Sequence, residues 1–393
     1  MGRLFALLLA IINSIMSLFG LPYGEQDIIL TKNAVLNVET RSDIFCPPSE
    51  VWENGAQYPT IISLSHNGEN NGTLLCSFEV FDKGETNFKI MKSTDHGEKW
   101  ELISTVKETA DASLSAAWEP CLFELPQALG DFSEGTILLG GISIDDGCKS
   151  KTRLSVYASG DCGKTWSEIS AVDEAGGTGD GIWEPFFVFD GGYLYCFYSD
   201  DSDAVHSQTI VYKRTADGIN WSEKTAVVES DNTQDRPGMP VVTKMGNGKY
   251  FLCYEFGNGD GYPIYYKVSD SIESWNASDI GKEISTKSQR SIGSSPCCVW
   301  IPKGGKNGML IVSGKYGNKG HNELLVSFDY GESFRTMINP LPYSDQKGCG
   351  YSPSMFYSQE EDMLFYANTV EYKDGLSKIA FARISVSEIG LFC

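Results

Sequence analysis

Six prolines, each opening a short apolar run, stand 55 to 65 residues apart along most of a 393-residue chain. A period of that size decides the architecture before any single residue is considered. The runs are Tyr58-Pro59-Thr60-Ile61-Ile62, Glu119-Pro120-Cys121-Leu122-Phe123, Glu184-Pro185-Phe186-Phe187, Met239-Pro240-Val241-Val242, Ser295-Pro296-Cys297-Cys298-Val299 and Ser352-Pro353-Ser354-Met355-Phe356. Between them lie alternating or β-branched stretches such as Thr73 to Phe78 and Tyr250 to Tyr254, broken by Gly- and Asn-rich turns. Almost nothing reads as helix. A unit of this length holds four short antiparallel strands, so six units predict an all-β fold, a six-bladed β-propeller of four-stranded antiparallel sheets. Met363 to Thr369 and Lys378 to Ile384 are expected to complete the last blade, and Asp27 to Val38 to donate a strand that closes the ring. Residues 25–393 are expected to form one domain.

A second repeat runs out of phase with the first. Ser93-Thr94-Asp95-His96-Gly97-Glu98-Lys99-Trp100 recurs at Ser159 to Trp166 and at Ser327 to Phe334, in shortened form at Thr215 to Trp221, and in worn form from Asp270 to Trp275. The chemistry is that of a hairpin turn, in which Asp accepts from free backbone N–H groups, Gly takes a positive φ and the aromatic packs beneath. Strands alternate direction within a blade, so the start of the first strand and the end of the second share one face of the disc. The turn between the third and fourth strands lies on the other. The residues before the prolines (Tyr58, Glu119, Glu184, Met239, Ser295, Ser352) are therefore expected at the mouth of the central channel. The second-strand ends (Glu79, Asp200, Asp201, Glu255, Lys315, Asn368) should join them, and the octets should be excluded.

The net charge of −21 and the lack of a basic stretch argue against nucleic acid and anionic membrane and favour a neutral or cationic partner. Leu4 to Phe19 is mostly apolar and follows Arg3, the pattern of a secretory signal peptide over residues 1–20, with an uncleaved anchor as the alternative. Asn-x-Ser/Thr triplets at Asn71, Asn220 and Asn276 agree with a secreted, extracellular chain. Of 11 cysteines, Cys148 and Cys162 are the pair to test for a disulfide, and no zinc-type spacing occurs. No metal, cofactor or EF-hand calcium loop is indicated, and a monomer is expected.

Carboxylates dominate the expected mouth: Glu79, Glu119, Glu184, Asp200, Asp201 and Glu255. Two carboxyl groups across a scissile bond are the equipment of glycoside hydrolysis. Crowding them against Trp118, Trp183 and Tyr254 would hold one protonated near neutrality through repulsion and desolvation. A charged residue at a strand end is ordinarily just solvated. Glu119 and Glu184, however, both follow a Trp and precede a Pro at equivalent blade positions, and Glu255 interrupts an otherwise apolar strand. His66 and His96 fall on far-face turns, which leaves His206 and His321 as the histidines able to meet substrate. No nucleophile elbow or phosphate loop is present.

The octets resemble the Asp-boxes (BNR repeats) of the sialidase superfamily. Sialidases carry an arginine triad and a Phe/Tyr-Arg-Ile-Pro motif, whereas the first blade here reads Tyr58-Pro59-Thr60-Ile61, and of eight arginines only Arg236, with Arg290 as a second, is placed near the mouth. A closer resemblance is to the arabinobiose-releasing exo-1,5-α-L-arabinanases of fungi and bacteria. It is carried by Trp183-Glu184-Pro185-Phe186, Tyr198-Ser199-Asp200-Asp201, His206-Ser207-Gln208, Arg236-Pro237-Gly238-Met239-Pro240, Asn247-Gly248-Lys249-Tyr250, Tyr254-Glu255 and Tyr262-Pro263-Ile264-Tyr265-Tyr266. The resemblance implies a sialidase-like six-bladed propeller, a retaining mechanism and attack on linear α-1,5-arabinan of the plant cell wall from its non-reducing end. It places the two catalytic glutamates on Glu184 and Glu255, read as nucleophile and acid/base in an order that the motifs do not fix. In a retaining enzyme the two carboxyl groups stand about 5 to 5.5 Å apart. Tyr58, Trp118, Glu119, Trp183, Asp200, Asp201, His206, Arg236 and Tyr351 are expected to bind substrate. The alternatives are a sialidase-like hydrolase on another glycan and a non-catalytic glycan- or protein-binding propeller.

Overall fold

The apolar runs that follow the six prolines pair with the alternating stretches behind them, and every strand so formed is antiparallel to its neighbours in the sheet. The computed structural model describes residues 28–388, apart from 32, 49–54, 83–84, 146–150, 177–178, 287–291 and 318–321. The expected leader over 1–20 and Arg290, His321 and Cys148 lie outside the described residues. Six blades are arranged around a channel, their innermost strands being Ala56–Ser63, Leu114–Glu124, Ile182–Asp190, Arg236–Lys244, Cys297–Ile301 and Ser354–Ser358. Blades 1 to 5 each run outward in chain order. Blade 6 is built from both ends of the described chain: Ser354–Ser358, Met363–Glu371 and Ser377–Glu388 are followed outward by Ala34–Phe45, which pairs from Ala34↔Glu388 to Phe45↔Ile379. The closing strand thus lies seven residues further along the chain than the expected Asp27 to Val38, and Ile28–Leu30 adds a further strand outside it.

The octets form the turns between third and fourth strands. In blade 2 the Ser159 hydroxyl donates to Asp161 Oδ1 (2.8 Å) and accepts from the Gly163 N–H (2.9 Å), while Asp161 Oδ1 accepts from the Thr165 N–H (2.9 Å). The Trp166 indole then donates to Ser104 Oγ of blade 1 (3.1 Å), which ties adjacent blades together. Blades 1 and 5 repeat the turn with Ser93, Asp95 and Gly97 and with Ser327, Asp329 and Gly331. In the worn copy the Ser269 hydroxyl donates instead to the carbonyls of Ser271 and Ser274. The blade 2 octet meets the first turn of blade 1, where the Cys162 thiol lies 3.5 Å from Asn67 Oδ1, so octets and first turns share the far face. The Cys162 thiol is free.

Large apolar side chains fill the wedge between neighbouring blades. The middle of blade 2 shows why particular residues are needed there. Adjacent strand residues point to opposite faces, and at Gly140 and Gly141 both faces receive a ring. A Cβ on Gly140 would lie 2.7 Å from the Phe187 ring of blade 3, and one on Gly141 would lie 2.4 Å from the Phe88 ring of blade 1. Phe88 is fully buried, so the ring has nowhere to retreat. Gly141→Ala is expected to destabilise the fold by roughly 1–3 kcal/mol, the usual size of an overpacking effect. The measurement is a lower urea midpoint at unchanged m-value, and an unchanged midpoint would refute this packing.

Candidate active site

Each of the six residues before the prolines occupies the left-handed region: Tyr58 (φ 51°), Glu119 (61°), Glu184 (62°), Met239 (55°), Ser295 (47°) and Ser352 (52°). Proline disfavours even the right-handed α region in the residue before it, and a non-glycine residue at such φ costs about 1–3 kcal/mol. The strand register accommodates it by a bulge. Pairing skips from Gln57 to Thr60, Trp118 to Cys121, Trp183 to Phe186 and Gly238 to Val241. A bulge of this kind re-aims a side chain, and here it turns Tyr58, Glu119, Glu184 and Met239 into the channel, whose narrow stem is lined by the prolines themselves.

The backbone N–H of four of these residues is caught by an acceptor from the preceding blade. Glu79 Oε2 accepts from Glu119 N (3.1 Å), Glu119 Oε2 from Glu184 N (2.6 Å), Glu184 Oε2 from Met239 N (2.7 Å) and Glu255 Oε2 from Ser295 N (3.0 Å). Hydroxyls complete the two central contacts: Ser199 donates to Glu184 Oε2 (2.5 Å) and Ser294 to Glu255 Oε2 (3.0 Å). Both glutamates are therefore fixed through one oxygen, and among the described residues neither Oε1 has a protein partner. Gly238 is the direct cross-strand partner of Glu255. A Cβ on Gly238 would stand 3.3 Å from Glu184 Oε2, so the two carboxyl groups share one face of blade 4.

Burial governs the protonation of this ring. It pushes Glu184 up to about 8, with the charge of Glu255 as the next cause. Glu255 is raised as well, by burial, against the opposing donors Ser295 N–H and Ser294 and the charges of Arg236 and Lys315. Glu79 is pushed up to about 8 by burial, and Glu119 is raised by burial and by the neighbouring Glu184 and Glu79. Like charges this close cannot all ionise together, so the Glu184–Glu255 pair retains a proton near neutrality.

The other expected residues divide into two groups. Tyr58 and Tyr351 meet edge to face at 5.1 Å, with the Lys315 ammonium 4.9 Å over the Tyr351 ring, and Trp118 and Trp183 meet at 5.6 Å. Tyr58, Glu79, Trp118, Glu119, Lys347 and Tyr351 wall an open pocket of about 330 Å³ above the stem. Arg236 donates to Asp201 Oδ2 (2.9 Å) and to Ser207 O (2.9 Å), and the Trp183 indole donates to the same Asp201 oxygen (3.1 Å). Asp201 Oδ1 is buried without a partner. Asp200 points the other way. Its carboxylate accepts from Lys224 (2.8 Å) and from the Ser202 hydroxyl (2.6 Å), and Lys224 also bridges Asp173 of blade 2. His206 leans on Asp203 of its own loop, at 3.1 Å. The arginines Arg41, Arg153, Arg214 and Arg383 make their bonds away from the mouth.

Sequence reasoning missed Ser199, Ser294, Gly238 and Lys347 as parts of the site. Ser199 and Gly238 lie inside the resemblance motifs, whereas nothing in the local sequence marks Ser294 or Lys347.

No protein-family model and no curated protein matches the chain, but solved structures do. An α-L-arabinanase from Penicillium chrysogenum, complexed with arabinobiose, is 31% identical with a TM-score of 0.80, over 89% of this chain and 98% of that one. A GH93 α-L-arabinofuranosidase from Fusarium graminearum, also complexed with arabinobiose, is 29% identical with a TM-score of 0.79, over 88% and 98%. The microbial sialidase Hz136, at 14% identity and a TM-score of 0.52, shares the fold alone. Fold and site together define a sialidase-like propeller enzyme of the glycoside hydrolase class. Within that class the chain belongs to the arabinanase and arabinofuranosidase family, glycoside hydrolase family 93.

The raised Glu79 carboxyl gives a stability signature with a definite sign. The folded chain holds this proton more tightly than the unfolded chain, whose value is near 4.5. The contribution to stability is therefore fullest below that value and is lost as pH rises through about 8. Gln at position 79 can still accept from the Glu119 N–H, so Glu79→Gln should lose less stability than the wild type between pH 5 and 9. Parallel urea titrations check this, and identical pH slopes would contradict a buried, protonated Glu79.

Proposed function

We propose that this chain is a secreted, exo-acting hydrolase of linear α-1,5-L-arabinan, releasing arabinobiose from the non-reducing end with retained configuration. The observation that carries this reading is the pairing of Glu184 and Glu255, each clamped at Oε2 by one hydroxyl and one backbone N–H and each presenting Oε1. Family membership and two relatives bearing arabinobiose support the substrate.

In the first step Glu184 Oε1 attacks the anomeric carbon as the bond to the leaving O5 breaks, and Glu255 gives its proton to that oxygen. The product is a glycosyl ester on Glu184 and a shortened arabinan. Glu255, now a carboxylate, takes a proton from water as the water oxygen attacks the same carbon. This frees Glu184 and returns the proton to Glu255. The two short bonds to Glu184 Oε2, at 2.5 and 2.7 Å, favour its charged form in the pair despite its burial. The walled pocket beside Glu119 gives the non-reducing end a place to stop. A sialic acid would instead meet a ring of carboxyl groups and an arginine already engaged by Asp201.

Glu184→Gln and Glu255→Gln should each cut the release of arabinobiose from arabinan by about a thousandfold or more, with the fold intact. Azide separates the roles. With an aryl arabinobioside, Glu255→Ala plus azide should give the glycosyl azide of retained configuration, and Glu184→Ala plus azide the inverted one. The opposite pattern would exchange the two roles, and near-normal hydrolysis by either Gln variant would refute the site.

A further inference from the structure

The two sides of the mouth are unlike. Towards blades 1, 2 and 6 stands the walled pocket, where the Gln57 side chain also donates to Gly348 O (3.3 Å). On the side of blade 4, Tyr262 lies 47% exposed. A lone exposed aromatic needs no explanation. Tyr262, however, sits in a loop held from both sides: Ser294 N donates to Tyr262 O (2.7 Å), and Phe256 N donates to Pro263 O (2.9 Å).

The ring rests on Gly257, where a Cβ would come within 2.8 Å of the ring and 3.3 Å of Arg236 Cβ. The Cδ1–Cε1 side of the ring is thus seated on backbone beside Arg236, and about half of the residue stays exposed to solvent. Ser294, which anchors the loop through its N–H, is also the residue whose hydroxyl donates to Glu255. Val205, 66% exposed in the loop that leads to Ser207, lies on the neighbouring blade, where Ser207 O is bonded by Arg236.

We propose that Tyr262 is the floor of a leaving-group subsite, stacking on the first arabinofuranose ring beyond the scissile bond. The assignment rests on the arabinan reading above, with Glu255 as the acid/base. A residue that protonates the leaving oxygen stands on the leaving-group side, and the loop tied to its serine partner borders the path of the departing chain. An exposed aromatic ring braced against backbone offers an apolar surface to the C–H face of a neutral sugar with little ordering cost. The walled pocket then takes the released end, and the side of Tyr262 takes the polymer.

The test compares linear arabinan with methyl α-1,5-arabinobioside, which places only a methyl group beyond the bond that is cut. For Tyr262→Ala, kcat/KM on arabinan should fall about threefold to tenfold. The fall should lie mostly in KM, while the methyl glycoside changes less than twofold and Tyr262→Phe behaves as wild type on both. An unchanged arabinan rate overturns the assignment, as does an equal loss on both substrates at an unaltered melting temperature. Wild-type enzyme that cuts neither substrate would remove the arabinan reading, and the subsite with it.

Discussion

The structure depends on one local contradiction that is resolved between blades. Each inner strand has, within it or just ahead of it, a residue in a left-handed conformation directly before proline, an arrangement that costs free energy and takes a backbone N–H off the ladder. At Glu119, Glu184, Met239 and Ser295 a carboxylate reaching across from the preceding blade takes that N–H. The contact links neighbouring blades at the axis, turns the bulged side chains into the channel, and gathers acidic groups on one face. Fold and site are therefore products of the same hydrogen bonds, and Glu119 and Glu184 act at once as acceptor for the next blade and as bulged residue of their own.

That arrangement also explains how a chain with a net charge of −21 can crowd carboxyl groups together. Burial raises Glu79, Glu119, Glu184 and Glu255, so they are held partly as neutral acids. Their oxygens remain acceptors in either state. A ring of neutral and shared-proton carboxyls holds less charge than a ring of full carboxylates would, and in the proposed mechanism it supplies the proton for glycosidic cleavage. Arg236 is bonded within it, and its partner Asp201 has a second, buried oxygen without a hydrogen-bond partner.

Much of this was legible in the sequence because repeats report topology directly. The proline period gave six blades, and strand alternation put the residues before the prolines at the mouth and the octets on the far face. Closure by the early strand was also readable, although its position was not, since Ala34–Phe45 is set by pairing with Ser377–Glu388. Less legible was which of two adjacent acids turns towards Arg236. Asp200 and Asp201 look equivalent as a dipeptide, yet an extended backbone sends them to opposite faces, one to Lys224 and Asp173 between blades and the other to Arg236. Ser294 and Lys347 were invisible because their place depends on loops that meet only when the ring closes. The left-handed backbone was also hidden, because proline statistics argue against it.

The central claim is that Glu184 and Glu255 work as a retaining pair across one cavity, and the stereochemistry of transfer tests it most directly. Arabinan digested in the presence of methanol should give methyl α-arabinobioside as the first transfer product, identified by NMR at its anomeric carbon. A methyl β-arabinobioside, or hydrolysis with no transfer and the β-anomer released first, would contradict the account.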